Sequence, residues 1–296
     1  MASFNSIPEY PTNRRRFLKT GLIAAGGLAL YSGEGERHWI EVSRLEIHLR
    51  NLPRALDGLK IAQLSDIHLD EYTEPFFLRH AIRRVNELKP DLVLLTGDFV
   101  SYGPRSFDFA VGAAWHCANL LRELECRQMY AVLGNHDVMV GGRKVTNALT
   151  ANGIPVLANT HVPFERAGSR IWLAGVDDPV LGSPDPERAI PPSIRGVEHE
   201  PVVLLCHAPD YVDHLLARPV GSAVDLVLSG HTHGGQVRVP LVGALELPEM
   251  GKKYIEGLFA LGSLQLYVNR GIGTVGLPFR LACPPEITLL TLRSAA

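Results

Sequence analysis

Five short apolar segments of this chain each run directly into a polar tip, and this repetition constrains the fold more than any other feature. The apolar parts read IAQL, LVLL, MYAVL, VVLL and LVLS. Continuous apolar runs of this length are typical of strands that are buried on both faces. Apolar residues with helical spacing, at 77–88 and 107–124, separate the first three segments. The alternation of strands and helices predicts an α/β fold with buried sheets.

The polar tips predict where a ligand binds. In open α/β sheets, ligands bind outside the carboxyl ends of the strands, so five such tips are expected to surround one crevice. Residues two apart in an extended strand point to the same side, which predicts that Asp66 converges with His68, and His231 with His233. Glycines beside these residues let backbone and ligand approach closely. The pattern therefore predicts a metal centre at the strand tips.

Composition narrows the class of protein. The chain has 296 residues and a formal net charge of −2, which leaves no basic field of the kind that a dedicated nucleic-acid binder shows. No low-complexity stretch or internal repeat interrupts residues 37–296, so we expect them to form one domain. The four cysteines form no CxxC pair, which argues against a thiolate zinc site and a dense disulfide framework.

Residues 1–36 are interpreted as an export signal, a membrane anchor and a linker. The string RRRFLK at 14–19 matches a twin-arginine signal, with Arg16 in its variable position. The apolar run at 21–31 is shorter than the roughly 20 residues of a standard transmembrane span. No clear cleavage site follows it, so this N-terminal leader is expected to stay attached and to tether the protein to the membrane. The string GEGE at 33–36 is interpreted as a short linker. A mildly basic N-terminal helix is the alternative.

The leader also predicts a location and two partners. A twin-arginine signal predicts export by the twin-arginine machinery to the periplasm or cell envelope. An uncleaved leader would hold the domain at a membrane surface.

The tips together resemble the five motif blocks of the calcineurin-like metallophosphoesterase family, in that family's order. The matching blocks are Asp66-x-His68, Gly97-Asp98, Gly134-Asn135-His136-Asp137, His207 and Gly230-His231-x-His233. The strings GLKIAQLSDIH, GHTHGGQ and NRGIG, with the leader, further resemble the YkuE-like branch of exported bacterial phosphoesterases. The resemblance implies a four-layer α/β/β/α sandwich with two mixed sheets and two metals at the strand tips.

The resemblance also implies a ligand set. The first metal would be held by Asp66, His68, Asp98 and His233, and the second by Asp98, Asn135, His207 and His231. Independently, a carboxylate such as Asp98 can span two cations about 3.5–4 Å apart. A mixed imidazole, carboxylate and amide set without thiolate suits Mn, Fe or Zn. His136 remains as the proton donor or positive group that faces the leaving oxygen, and its alternative role is to support a ligand.

The implied activity is dinuclear-metal-dependent phosphoester hydrolysis, most simply of a phosphodiester, by in-line attack of a metal-bridging hydroxide on phosphorus. The catalytic residues would be Asp98 and His136. A membrane-associated pyrophosphatase acting on a nucleotide-sugar or lipid-linked substrate is the alternative enzyme. A metal-binding interaction scaffold is the alternative without catalysis.

Two positions differ from related branches of the family. Ser101 occupies the position of the tyrosine ligand in purple acid phosphatases, and Asp137 stands where protein serine/threonine phosphatases carry glutamate. The sequence therefore disfavours both of those branches. For substrate contact the candidates are Tyr72, Arg238, Arg270 and the pair Lys252-Lys253, each of which could equally be a solvated side chain.

Overall fold

The computed structural model of the protein describes residues 14–103, 105–197 and 200–295. Its strands are β1 (Glu41–Leu49), β2 (Lys60–Leu64), β3 (Leu92–Leu95), β4 (Met129–Ala131), β5 (Thr160–Arg166), β6 (Ser169–Gly175), β7 (Val202–Leu205), β8 (Leu226–Ser229), β9 (Arg238–Val239), β10 (Gly243–Ala244), β11 (Gly257–Leu261), β12 (Leu264–Val268) and β13 (Glu286–Ser294). Its α-helices are α1 (Arg14–Leu30), α2 (Pro75–Leu88), α3 (Phe107–Leu121), α4 (Asn135–Ala151), α5 (Pro186–Ala189) and α6 (Tyr211–Leu216). The predicted tips follow β2, β3, β4, β7 and β8.

Two mixed sheets form the centre of the domain. The first has the order β1-β13-β2-β3-β4, and the second has the order β11-β12-β8-β7-β6-β5. In the first sheet β13 pairs in parallel with β1 and antiparallel with β2, whereas β2, β3 and β4 are parallel to one another. In the second sheet the central strands β12, β8, β7 and β6 are parallel, and both edge pairs are antiparallel. The carboxyl ends of the parallel strands therefore carry the tips in both sheets.

Alternate residues of the central strands enter different cores. Leu94 and Leu228 lie in the core between the sheets, together with Leu205. Val93, one residue from Leu94, lies instead in the core that the first sheet shares with α2, α3 and α4, and Val227 lies in the core on the outer face of the second sheet. These strands read as continuous apolar runs because both of their faces are buried. The resulting layers confirm the predicted four-layer α/β/β/α sandwich.

The two predicted helices differ from their patterns by only a few residues. Helix α2 begins at Pro75, whose fixed φ suits the first helical position, and ends before Lys89, which adopts a left-handed conformation. Helix α3 ends at Leu121 and not at residue 124, because the backbone N–H groups of Glu123 and Leu124 turn back to carbonyls three residues earlier. Leu124 nevertheless remains buried, which explains why it fits the helical spacing.

The N-terminal segment forms the 17-residue helix α1 and then packs against the domain. No helix within the described ranges combines the length and the apolar character needed to cross a membrane. Beyond α1, Ser32 and Glu36 are buried. The Ser32 carbonyl accepts a hydrogen bond from Arg280 N at 3.0 Å, and the Glu36 carboxylate accepts one from Cys283 N at 2.6 Å. The stretch interpreted as a linker is therefore fastened to the domain, and the assignment of residues 1–36 as a signal stays a prediction.

Candidate metal centre

The predicted site residues converge at the carboxyl ends of strands from both sheets. Within each of three groups, the carboxylate oxygens and ring nitrogens lie within 4.8 Å of one another. The groups are Asp66 with His68 and His233, His68 with Asp98 and His136, and Asp98 with His207 and His231. Because His68 and Asp98 each belong to two groups, the three groups form one continuous cluster.

The side chains converge by a different backbone geometry from the one that the sequence argument used. Asp66, His68, His231 and His233 are not in extended strands, since their φ angles are 52°, 49°, 75° and 50°. The prediction that an extended backbone aligns residues two apart was therefore wrong, although the side chains do meet. A left-handed conformation costs a residue with a Cβ about 1–3 kcal/mol and persists only where the surroundings hold it.

Hydrogen bonds between the tips hold this conformation. Ile67 N and His68 N both donate to the Asp98 carbonyl, at 2.7 and 3.1 Å. His231 N donates to both carboxylate oxygens of Asp66 at 3.0 Å. The β2 tip is therefore joined to the β3 tip through backbone groups and to the β8 tip through the Asp66 side chain, so these ligand positions depend on one another.

Glycines are needed where the tips pack together, as the sequence predicted. A Cβ on Gly97 would lie 2.6 Å from Gly134 N and 2.7 Å from His207 Nδ1. A Cβ on Gly230 would collide with the side chains of Ser65 and Asp66. No side chain can be added at these positions without displacing a candidate ligand.

Backbone carbonyls orient two of the histidine rings. His207 Nδ1 lies 2.7 Å from the Thr96 carbonyl, and His231 Nε2 lies 2.7 Å from the Glu249 carbonyl. A carbonyl only accepts, so each of these nitrogens carries a proton and the other ring nitrogen faces the site. The two inward nitrogens, His207 Nε2 and His231 Nδ1, are 3.2 Å apart. Two ring nitrogens this close can share either a proton or a bound cation.

The other two histidines of the predicted set, His68 and His233, also meet at the site. His68 Nδ1 lies 2.6 Å from the Ser101 hydroxyl, so its Nε2 faces the site, 3.0 Å from His233 Nε2. His233 Nε2 also lies 3.4 Å from the Asp66 carboxylate. Burial lowers the pKa of His68 to about 3, and burial likewise puts the pKa of His233 well below its usual value. Both rings are therefore neutral near pH 7, which is the form that binds a metal.

Asp98 occupies the middle of the cluster. Its Oδ2 atom lies 3.2 Å from His207 Nε2 and 3.6 Å from His68 Nε2, so one carboxylate contacts a ring from each sheet. Burial by itself raises the pKa of Asp98, but the nearby His207, His136 and His68 outweigh burial and hold the pKa well below its usual value. Asp98 is therefore a carboxylate. This position fits a ligand that bridges two metals.

Asn135 provides a direct test of whether the cluster fits metal ions. Its Oδ1 atom is buried and has no hydrogen-bond partner among the described residues, and the same is true of His136 Nδ1. Leaving a buried acceptor unpaired is costly, and buried polar groups are otherwise almost always paired. A cation satisfies an amide oxygen at this position. The donor chemistry of the cluster therefore fits a pair of divalent metals.

Asp137 has a structural role that the sequence did not indicate. Its carboxylate accepts backbone hydrogen bonds from Asp98 at 2.8 Å, Phe99 at 2.9 Å and Gly134 at 3.0 Å. Burial and the charge on Asp98 raise the pKa of Asp137 to about 8, and the backbone donors oppose that rise. The side chain joins the β3 and β4 tips and does not face the metal cluster. The GNHD string contains this residue but does not reveal its partner 39 positions away.

Arg280 is a second supporting residue that the sequence did not indicate. It is fully buried, donates to the carbonyl oxygens of Gly271 and Gly273, and lies 3.4 Å from His233 Nδ1. The two residues are 47 positions apart in the sequence and come together only in the folded protein. No local pattern in the sequence could have found this contact.

Three of the cationic candidates for substrate contact have internal ion-pair partners. Arg238 pairs with Glu256 at 2.7 Å, and Arg270 pairs with Glu41 at 2.7 Å. Lys253 forms an exposed ion pair of 2.8 Å with Asp213. The structure therefore gives these residues structural partners and favours the alternative in which they do not contact substrate.

Metal uptake is expected to release protons. Burial lowers the pKa of His207, but Asp98 and Asp66 outweigh burial and raise it to about 10, so the metal-free ring is protonated near neutral pH. A metal binds only the unprotonated nitrogen, so loading must release about one proton from this ring, and metal affinity must fall as the pH falls. Calorimetric titration in buffers of different ionisation enthalpy measures the release. A binding heat that does not depend on the buffer would contradict the expectation.

Comparisons with known proteins agree with this geometry. The family model described as calcineurin-like phosphoesterase matches residues 59–235, which include every candidate ligand. Metallophosphoesterase YkuE of Bacillus subtilis is 38% identical over an alignment 292 residues long, and the match covers 95% of this chain and 98% of YkuE. Phosphodiesterase YaeI of Escherichia coli is 35% identical over an alignment 287 residues long, and the match covers 95% of this chain and 99% of YaeI.

Among solved structures, Haemophilus influenzae NAD nucleotidase NadN resembles this chain with a TM-score of 0.50 and 16% sequence identity. The match covers 73% of this chain and 51% of NadN, and it concerns the fold alone. The family model covers more than half of the chain, and YkuE and YaeI match nearly all of it. The chain therefore belongs to the calcineurin-like phosphoesterase family, a family of phosphoester hydrolases.

Proposed function

We propose that the protein is a dinuclear-metal phosphodiesterase. The observation that carries the proposal is the position of Asp98. Its carboxylate belongs to two groups of candidate ligands, one with His68 and the other with His207 and His231. One metal is assigned to Asp66, His68, Asp98 and His233, and the other to Asp98, Asn135, His207 and His231. The phosphodiesterase YaeI supports a phosphodiester as the substrate class. Pyrophosphate hydrolysis stays the alternative reaction, since attack on phosphorus is common to both.

The metals, the bridging carboxylate and the groups that orient the histidines have different roles in the proposed hydrolysis. Bound Mn, Zn or Fe ions would supply positive charge for the phosphoryl oxygens and make water acidic enough to act as a nucleophile near neutral pH. Asp98 keeps its charge in a buried place and so balances two cations. Thr96, Glu249 and Ser101 fix the ring orientations of the histidines, which keeps the ligands in position before substrate arrives.

His136 is proposed to donate a proton to the leaving oxygen. Its ring packs edge-on against His68 with centroids 4.9 Å apart, which places it at the rim of the cluster. Its backbone N–H donates to Asp98 Oδ1 at 2.9 Å, so the same residue touches the bridging carboxylate. His136 Nδ1 is buried and makes no hydrogen bond within the described residues, so no neighbouring group of the protein competes for that nitrogen. In this step water oxygen bonds to phosphorus, the ester bond to the leaving oxygen breaks, and that oxygen takes the proton.

A substrate screen tests the proposal directly. Purified full-length protein would be assayed with a phosphomonoester, a phosphodiester and a pyrophosphate, each with Mn, Zn and Mg. The proposal expects the diester to have the highest kcat/KM and expects chelation to abolish the activity. Preference for the pyrophosphate would favour the alternative enzyme, and turnover of none would favour the scaffold.

Replacing Asp98 with asparagine is expected to remove most of the bound metal. The change keeps the shape of the side chain but removes the charge that two adjacent cations require, so kcat/KM should fall by at least about 100-fold. Metal content by plasma mass spectrometry and hydrolysis of a diester are the measurements. Asp57→Asn, at a surface position, is the matched control and should keep both. An Asp98→Asn protein with two metals per chain and normal turnover would show that the assignment is wrong.

Replacing His136 with alanine is expected to lower kcat by about 10²-fold or more while both metals stay bound. The loss should be smaller for a 4-nitrophenyl leaving group than for an alkyl one, because the former leaves without much help from a proton. His80→Ala on α2, away from the site, is the control. If kcat falls equally for both leaving groups, His136 is not the acid. If the variant loses metal, His136 is a metal ligand.

We also propose export by the twin-arginine route, followed by retention at the cell envelope through α1. The support for this proposal is the RRRFLK string in the sequence. The structure does not describe the side chains of Arg14 and Arg15. A metal centre assembled from tips between residues 66 and 233 exists only in the folded domain. A route for folded proteins would let the metal be acquired before export.

Arg14→Lys combined with Arg15→Lys is therefore expected to leave folded, active, metal-loaded enzyme in the cytoplasm. Arg16→Lys changes the neighbouring arginine at the variable position and should be exported like the wild type. Cell fractionation followed by an activity assay makes the measurement. Normal recovery of the double variant outside the cytoplasm would refute the export proposal.

A further inference from the structure

An apolar groove of about 660 Å³ lies between helix α1 and the edge of the metal centre. It is lined by α1, by Thr232 and His233, by the rest of the loop after β8 and by residues 275–281. The groove-lining side chains include Leu28, Val237, Leu245, Val275, Leu277 and Phe279. Its volume falls in the range of about 300–1,000 Å³ that is typical of small-molecule sites. A candidate metal ligand is thus also part of its wall.

The polar side chains in the wall are already satisfied within the protein. Ser32 Oγ donates to the Leu28 carbonyl at 2.8 Å, and Thr232 Oγ1 donates to the Ile255 carbonyl at 2.6 Å. The Gln236 amide donates to the Val275 carbonyl at 3.0 Å and accepts from Val275 N at 2.8 Å. Apart from His233 and Glu246, the side chains of the described lining are therefore either apolar or already hydrogen-bonded within the protein. Such a wall favours a hydrocarbon occupant.

Large apolar side chains are exposed where the groove opens. Leu245 is 62% exposed and Leu277 is 61% exposed, although both line the groove. Exposed apolar surface gathered around a pocket is a feature of binding sites and not of ordinary protein surface. A hydrocarbon chain in the groove would remove both leucines from water.

Helix α1 contributes one wall of this groove. Ala25, Leu28 and Ala29 face the cavity. The segment beyond the helix is fastened by the hydrogen bond from Arg280 N to the Ser32 carbonyl, and a Cβ on Gly33 would lie 3.0 Å from the Phe279 ring. The N-terminal segment therefore shapes the region beside the metal centre.

We propose that the apolar groove binds the aliphatic chain of an amphiphilic phosphodiester whose phosphorus lies at the metal centre. The inference rests on the proposed function and names its substrate class. A phosphodiester has two substituents, so one can leave while the other carries the chain. Because the candidate ligand His233 lines the groove, a chain in the groove can be joined covalently to a phosphoryl group at the metals. A separate protein partner would not explain this adjacency.

Chain-length dependence tests this proposal. The substrates are ethyl, butyl and octyl 4-nitrophenyl phosphates, which share one leaving group and are used below the concentrations at which they form micelles. Each buried methylene is worth up to roughly 4-fold in binding, so kcat/KM should rise at least about 10-fold from ethyl to octyl. Leu277→Asp and Leu245→Asp should each flatten the rise, since both replace exposed residues that line the groove.

Leu216→Asp is the matched control, because Leu216 is 42% exposed at the end of α6 and does not line the groove. It should keep the full chain-length dependence. A flat dependence in the wild type would overturn the groove assignment while diester hydrolysis stands. If both groove variants keep the rise of kcat/KM with chain length, the aliphatic chain binds elsewhere and the groove assignment is also overturned.

Binding without turnover separates this inference from the proposed function. Calorimetry of the metal-loaded full chain would compare ethylphosphonate with octylphosphonate, and the octyl compound should bind at least about 10-fold more tightly. Leu277→Asp should remove the difference, and Leu216→Asp should keep it. If no diester is hydrolysed but this result is found, the groove assignment stands and the proposed function fails. Equal affinities for the two phosphonates would overturn the groove assignment whatever the hydrolysis results.

Discussion

The buried carboxylate of Asp98 lies among histidine rings that come from separate parts of the chain, and the arrangement of the site depends on it. Burying a charge is costly unless opposite charge and hydrogen bonds compensate. Without metal, the proton on His207 provides the positive charge. When metal is bound, two cations would take that role and would also pair with the inward nitrogens and the Asn135 amide oxygen. The same carboxylate therefore connects protonation, metal binding and catalysis.

The two sheets bring this carboxylate and its partners together. Asp98 follows β3 of the first sheet, whereas His207 and His231 follow β7 and β8 of the second. The shared core between the sheets positions the two rows of strand ends across one crevice. Hydrogen bonds from the tip backbones to the Asp137 carboxylate then hold the loops at short range. The sandwich sets the approximate positions of the ligands, and the loops set their orientation.

The sequence predicted the type of fold and the identity of the site residues, but not how the backbone presents them. Buried strands leave a local signal as apolar runs, and the two observed sheets confirm the predicted fold. Polar tips mark candidate ligands, most of which cluster in the structure, and their assignment as metal ligands stays a prediction. The extended geometry expected for Asp66 and His68 was wrong, because left-handed residues with a Cβ are held by distant partners. Arg280, the insertion of β13 between β1 and β2, and the groove beside α1 also escaped prediction. Each depends on contacts between residues far apart in the chain, which no local pattern records.

The central claim is that one carboxylate bridges two metals. Anomalous diffraction from crystals of the metal-loaded protein, recorded at the absorption edge of the bound metal, tests it most directly. The account predicts two peaks about 3.5–4 Å apart. One peak should lie beside Asp66, His68 and His233, the other beside Asn135, His207 and His231, with the Asp98 carboxylate between them. A single peak, or a pair of peaks that Asp98 does not touch, would contradict it.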